Sequence, residues 1–143
     1  MREINFCGKA IDGNKWVYGY YVRGCTDAYG GTFDVGIKPP MCFPIEVDPS
    51  TVGQYTGLND KSDKEVYGFH IVNVTNKGIY NGPKVVVWDD KLLCHVLVWA
   101  DQFKEWKGTQ HGTTYLKVSS GIKCEIIGNV FDNPELLTTP QGE

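Results

Sequence analysis

Long apolar runs are missing from this sequence. Nothing in it approaches the roughly 18 to 20 apolar residues of a membrane-spanning helix, and the N-terminus carries no apolar stretch of signal-peptide length. A cytoplasmic protein is the expectation. Positive charge is also short: 14 Lys and Arg stand against 17 Asp and Glu, a formal charge of −3. A protein that neutralises many phosphates carries the opposite balance, so duplex binding would need a local basic patch. The five cysteines (Cys7, Cys25, Cys42, Cys94, Cys124) are irregularly spaced and form no Cys-x-x-Cys. That argues against a zinc ribbon or redox pair and for free thiols, mostly buried as small apolar residues. The Asn73-Val74-Thr75 glycosylation pattern is then a chance match. Phosphate-loop and dinucleotide glycine motifs are absent, and Ser119-Ser120-Gly121 lacks a nucleophile-elbow context.

Glycine, proline and aromatic residues are what the chain does have. Its 17 Gly and seven Pro, with short apolar runs between them, favour strands and turns, and 143 residues fit one domain. Phe6 opens a first strand, Ile11-Asp12-Gly13-Asn14 is a hairpin turn, and Trp16 to Arg23 returns. Gly24 to Gly31 reads as a loop and Phe33, Val35 and Ile37 alternate as a strand. After the Pro39-Pro40 break, Met41, Phe43, Ile45 and Val47 share one face of an extended edge piece. Asp48-Pro49 caps a helical turn that runs through Val52 and stops at Gly53. Tyr55 and Leu58 follow as large side chains to be buried, and Asn59 to Lys64 turns in solvent. Glu65 to Val74 is extended. Asn76-Lys77-Gly78 and Asn81-Gly82-Pro83 are turns around Ile79-Tyr80. Val85 to Trp88 is a β-branched strand, Asp89-Asp90-Lys91 a turn, and Leu92 to Trp99 a strand covered on both faces. Ala100 to Lys107 is a short helix and Lys107 to Thr114 a mobile polar loop. Tyr115 to Val118 and Ile122 to Phe131 complete the sheet, and Asn133 to Leu137 packs a last turn on the core.

The expected fold class is mainly β: a small bent sheet or SH3-like β-barrel with an N-terminal hairpin extension and short helical turns. Its parts are β-hairpins over 1–47, a helical turn and connector over 48–64, the barrel and C-terminal turn over 65–137, and a frayed tail over 138–143.

Three blocks of this sequence resemble the phage-encoded YopX family. They are Val47 to Lys64 followed by Glu65-Val66-Tyr67, the start (Met1 to Phe6 with Trp16-Val17-Tyr18-Gly19), and Ile127 to Leu136. They occur in family order across nearly the whole chain. The resemblance implies a small β-barrel-like protein of phages or prophages with no general activity assigned. Two departures stand out. Cys7 takes the place of an arginine, and Gly68-Phe69-His70-Ile71 stands where the family reads Glu-Gly-Asp-Ile. Both carboxylates of that tetrapeptide are gone, so a metal or acid–base role resting on them does not carry over.

No constellation of catalytic residues emerges. Cys94 and His95 are adjacent on a strand and so point to opposite faces. A zinc site from His70, His95 and a cysteine lacks any local ligand spacing, and His111 reads as a loop residue. Asp89-Asp90 reads as a solvated turn more readily than as a cation site. The larger signal is the four Trp, eight Tyr and six Phe. Trp16, Tyr55, Trp88 and Phe131 are expected in the core. Tyr21, Tyr29, Tyr80, Trp99 and Trp106 lie in or near loops and suit stacking on a base or anchoring an interface. Arg23, Lys84, Lys104 and Lys107 could supply anion contacts beside them.

The expectation for function is therefore a non-enzymatic phage accessory protein without a cofactor or metal, acting in counter-defence. It would self-associate into a homo-oligomer and sequester an anionic nucleotide-type host signal or a host protein. The candidate ligand-binding residues are Arg23, Tyr29, Tyr80, Lys84, Trp99, Lys104 and Trp106. The alternatives are a single-stranded nucleic-acid-binding β-barrel and a nucleotide-processing enzyme.

Overall fold

The structure is a computed structural model that describes residues 3–76, 82–109 and 115–138. It is mainly β, built from antiparallel sheets with three short 3-10 segments among the described residues. The chain divides into two compact units, Met1–Tyr55 and Thr56–Glu143.

In the first unit, β1 (Phe6–Lys9) and β2 (Trp16–Thr26) form a hairpin across the Asp12-Gly13-Asn14 turn. Gly13 and Asn14 both take positive φ, +81° and +52°, as the Asp-Gly signal demands. β3 (Thr32–Lys38) pairs with β2, and the two-residue β4 (Ile45–Glu46) pairs with β3. A 3-10 turn over Pro49–Thr51 follows, with Asp48 Oδ1 accepting from the Ser50 amide at 3.0 Å and Pro at the first helical position. Val17, Val35, Ile37 and Val47 close the core of this unit together with Ala10. β5 (Gly53–Asn59) begins beside β1, with Cys7 opposite Gly53, and so supplies a strand within the stretch that reads as connector.

The second unit is organised on an open five-stranded sheet in the order β10-β9-β8-β7-β11. Its strands are β7 (His70–Val74), β8 (Gly82–Asp89), β9 (Cys94–Trp99), β10 (Tyr115–Lys117) and β11 (Cys124–Asn129). β6 (Glu65–Tyr67) lies next to β5. β9 is buried on both faces as its continuous apolar run requires. Val96 and Val98 join one cluster with Ile71, Val85 and Val87, and Leu97 joins another with Val66, Val72 and Val86. Leu137 packs on the first cluster from the turn Pro134–Leu137.

Four expectations need correcting. The SH3-like closure does not form, because closure needs the outer strands to pair, and three-residue β10 pairs only with β9 among the described residues. Trp88 is not core: it is 40 % exposed and sets its ring edge-on to His95 at 5.1 Å. Met41 and Phe43 do not share the buried face of Val47, since the strand is only two residues long and both are exposed. Gly24 does not start a loop, because β2 runs on to Thr26. The turns expected around Ile79-Tyr80, His111 and the tail beyond Thr138 fall wholly or partly on residues outside the described ones.

The polar run Asn59 to Lys64 is more than a solvated turn. Asp60 is buried, and its Oδ1 accepts from the amides of Ser62 and Lys64, both at 2.9 Å, while Oδ2 accepts from the Ile126 amide at 3.1 Å. Burial pushes this carboxyl upward, but the three amides and Lys64 outweigh it and hold it below its ordinary range. Asp60→Ala leaves three donors without their acceptor, of which the Ile126 amide is the least able to recruit water. It should lower stability by about 2 kcal/mol, read as a drop in the urea midpoint with unchanged slope. A midpoint within error of the parent would show that water replaces the carboxylate.

Candidate functional site

The turn after β2 is held by one side chain. Asp27 Oδ1 accepts from the amides of Tyr29 and Gly31 at 2.8 and 2.9 Å, and the Asp27 amide donates to the Gly31 carbonyl. This Asx-type arrangement places Tyr29 at the tip, 97 % exposed. A second turn stands across from it. The Cys42 amide donates to the Pro39 carbonyl at 3.2 Å, with Pro40 leading the turn and Met41 at φ +63° in the left-handed region. Glycine is the residue that position suits, and a Cβ there costs roughly 1 to 2 kcal/mol. Methionine occupies it and is 98 % exposed.

Between these turns and the end of the first hairpin lies a groove of about 650 Å3. Its apolar wall is Tyr29, Met41, Phe43, Pro44 and Ile45 with Ile11. Its charged lining is Asp12, Asp27 and Glu46, and no lysine or arginine lines it among the described residues. An apolar patch of this kind, held open by a strained residue, is unlike the scattered single apolar residues of an ordinary surface. Of the described candidates read from sequence, only Tyr29 lines it. Met41, Phe43 and Ile45 were legible only as a strand face.

The other candidates are distributed as follows. Arg23 is exposed and pairs with Asp34 at 3.3 Å. Lys84 and Trp99 do come together, because they stand opposite each other in the β8–β9 register, and the amine lies 3.7 Å from the ring centroid. Lys84 is buried, and that burial pushes its amine down to about 8, so its charge faces an indole rather than a solvent-borne phosphate. Lys104 is exposed on the 3-10 segment Ala100–Glu105, while Trp106 packs half-buried against the core. Tyr80 lies outside the described residues.

Several titratable groups with displaced equilibria belong to the framework. His70 Nδ1 accepts from the Tyr67 amide at 3.1 Å, and burial drives its pKa down to about 4 against the opposing pull of Asp60. Burial raises the thiols of Cys7 and Cys124 to about 12 and about 11, which makes both inert, with a Gly53 backbone bond pulling the first back and Asp60 pushing the second further. Among the described residues no group of three His, Cys, Asp or Glu is placed to hold a metal ion.

A family model described as YopX protein matches residues 9–138 of the 143. The chain belongs to the YopX family. No curated protein matches this YopX-family chain. Its departures from the family pattern now have locations. Cys7 is buried on β1, and Phe69 takes φ +72° in the two-residue connection from β6 to β7, where the resemblance puts glycine. No helix among the described residues is long and apolar enough to cross a membrane.

Proposed function

We propose that this YopX-family chain is a non-enzymatic phage accessory protein that acts by capturing another protein through the groove of its first unit. The observation that carries this reading is Met41, a strained and almost fully exposed methionine between Tyr29 and Phe43. Nothing in the core gains from it, whereas exposed Met, Tyr and Phe are the side chains that anchor interfaces. A host-protein target suits the groove better than a nucleotide signal or a single strand. Three lining carboxylates, with no cation among the described lining residues, would repel phosphates. The same repulsion weighs against a homo-oligomer that sets two such grooves face to face, so self-association would use other surfaces. None of the groups with displaced equilibria is among the described residues that line this groove, so none of them brings an acid, base or nucleophile to it.

Met41→Gly separates the roles. Glycine accepts the positive φ, so thermal stability should hold or rise, while capture of the partner should fall. The measurement compares proteins retained from host extract by the parent, by Met41→Gly and by Phe43→Ser at equal folded concentration. Species retained by the parent and lost from both variants support the reading. Identical retention by all three, or turnover of any member of a nucleotide panel, overturns it.

A further inference from the structure

The charge of the groove narrows the chemistry of its occupant. The apolar floor ends in carboxylates rather than a mixed polar rim: Asp12 follows the first strand, Asp27 holds the Tyr29 turn, and Glu46 lies on β4. Asp12 and Glu46 are exposed, and Asp27 turns Oδ1 inward to its two amides. Arg23 does not offset them, because it pairs with Asp34.

Resting on the capture reading above, we infer that the groove takes a basic segment of a partner protein. One large apolar side chain would seat between Tyr29, Met41 and Phe43, with lysine or arginine on either side of it. A volume of about 650 Å3 holds one such anchor with its flanking backbone. The flanking cations would meet carboxylates that have no basic neighbour among the described lining residues, and such complementarity adds rate and selectivity more than affinity. A second copy of this chain, an acidic or neutral segment, and a free apolar ligand are the competing occupants.

Fluorescence anisotropy on the full chain decides among them. Labelled nine-residue peptides carry a central Leu or Phe flanked by Lys and Arg, by Ser, or by Glu. The basic set should bind most tightly, and its preference over the serine set should shrink about tenfold on going from low to high salt. Asp12→Asn with Glu46→Gln should weaken the basic set about three- to tenfold and leave the serine set unchanged. Phe43→Ser should weaken both sets. Equal binding of basic and serine peptides, with Phe43→Ser still weakening both, overturns the charge inference while leaving the groove a capture site. Preference for the glutamate set also overturns it. Binding of no peptide, binding that Phe43→Ser leaves intact, or a shift in sedimentation with concentration that Phe43→Ser abolishes, overturns it together with the capture of a foreign protein.

Discussion

Gly19→Ala should lose about 3 kcal/mol or more of stability in the first unit, enough to leave it largely open. A Cβ built on Gly19 would stand 2.2 Å from the Lys38 carbonyl oxygen, 2.7 Å from its carbon and 2.8 Å from the Pro39 Cα. All three are main-chain atoms, so no side-chain rotation relieves the contact, and one strand must move by about an ångström. The entropic gain of replacing glycine in the unfolded chain, roughly 0.4 to 1 kcal/mol, is too small to compensate. Gly13→Ala is the control. It also sits at positive φ but meets nothing within 4 Å, so it should lose only the backbone term of about 1 kcal/mol. Amide exchange of β1 to β3 reads both variants. Protection equal to the parent in Gly19→Ala would mean that β2 and the end of β3 can separate freely.

Acid should weaken the second unit through His70. An unfolded chain protonates His70 near 6.5, whereas the folded chain resists until about 4, because the ring is buried and Nδ1 already accepts the Tyr67 amide. The unfolded state binds the extra proton in between, so the contribution is complete above 6.5 and is lost as pH falls toward 4. Its size is on the order of 2 to 3 kcal/mol. Asp60 acts in a lower window. Its carboxyl is held below the ordinary 3.8, so its stabilisation fades only beneath that value. Urea midpoints at pH 7, 5.5 and 4.5 test the separation. His70→Asn keeps an acceptor near the position of Nδ1 and should flatten the profile between 6.5 and 4. The same slope in that variant would assign the acid response to another group.

Much of this architecture is legible in the residues. The Asp-Gly turn, the Asp48-Pro49 cap and the valine-rich pair of strands each carry a local cause that nothing distant overrides. β5 is harder to see, because Gly53, Gly57 and the polar residues around them weaken every local strand signal, and its pairing with β1 joins residues some 46 positions apart in sequence. Trp88 misleads in another way. A tryptophan in a run of valines reads as core, yet only every second residue of β8 faces a given cluster, and His95 gives the ring an edge contact at the surface.

The groove is the least legible part. Met41, Phe43, Ile45 and Val47 alternate as a half-buried strand would, and nothing local announces that Met41 takes a left-handed turn and throws the first two outward. Tyr29 was accessible to reasoning, since a tyrosine between Asp27 and Gly30-Gly31 has no strand to join. Lys84 and Trp99 are candidates by residue type alone, and they meet because of register. That meeting buries the charge it was expected to present.

The order in which the second sheet is completed exposes it to a hazard. β7 and β8 are synthesised well before β11, the strand that covers β7's other edge. Until Cys124–Asn129 emerges, β7 forms the edge of the β7–β8–β9 meander, with its outer row of main-chain groups unpaired beside the consecutive valines of β8. Such segments are prone to cross-β stacking when chains are crowded. Asp89 at the end of β8, Asp90 and Lys91 in the connection to β9, and Lys84 at the start of the valines are charges that interrupt these apolar runs and so limit such stacking during synthesis.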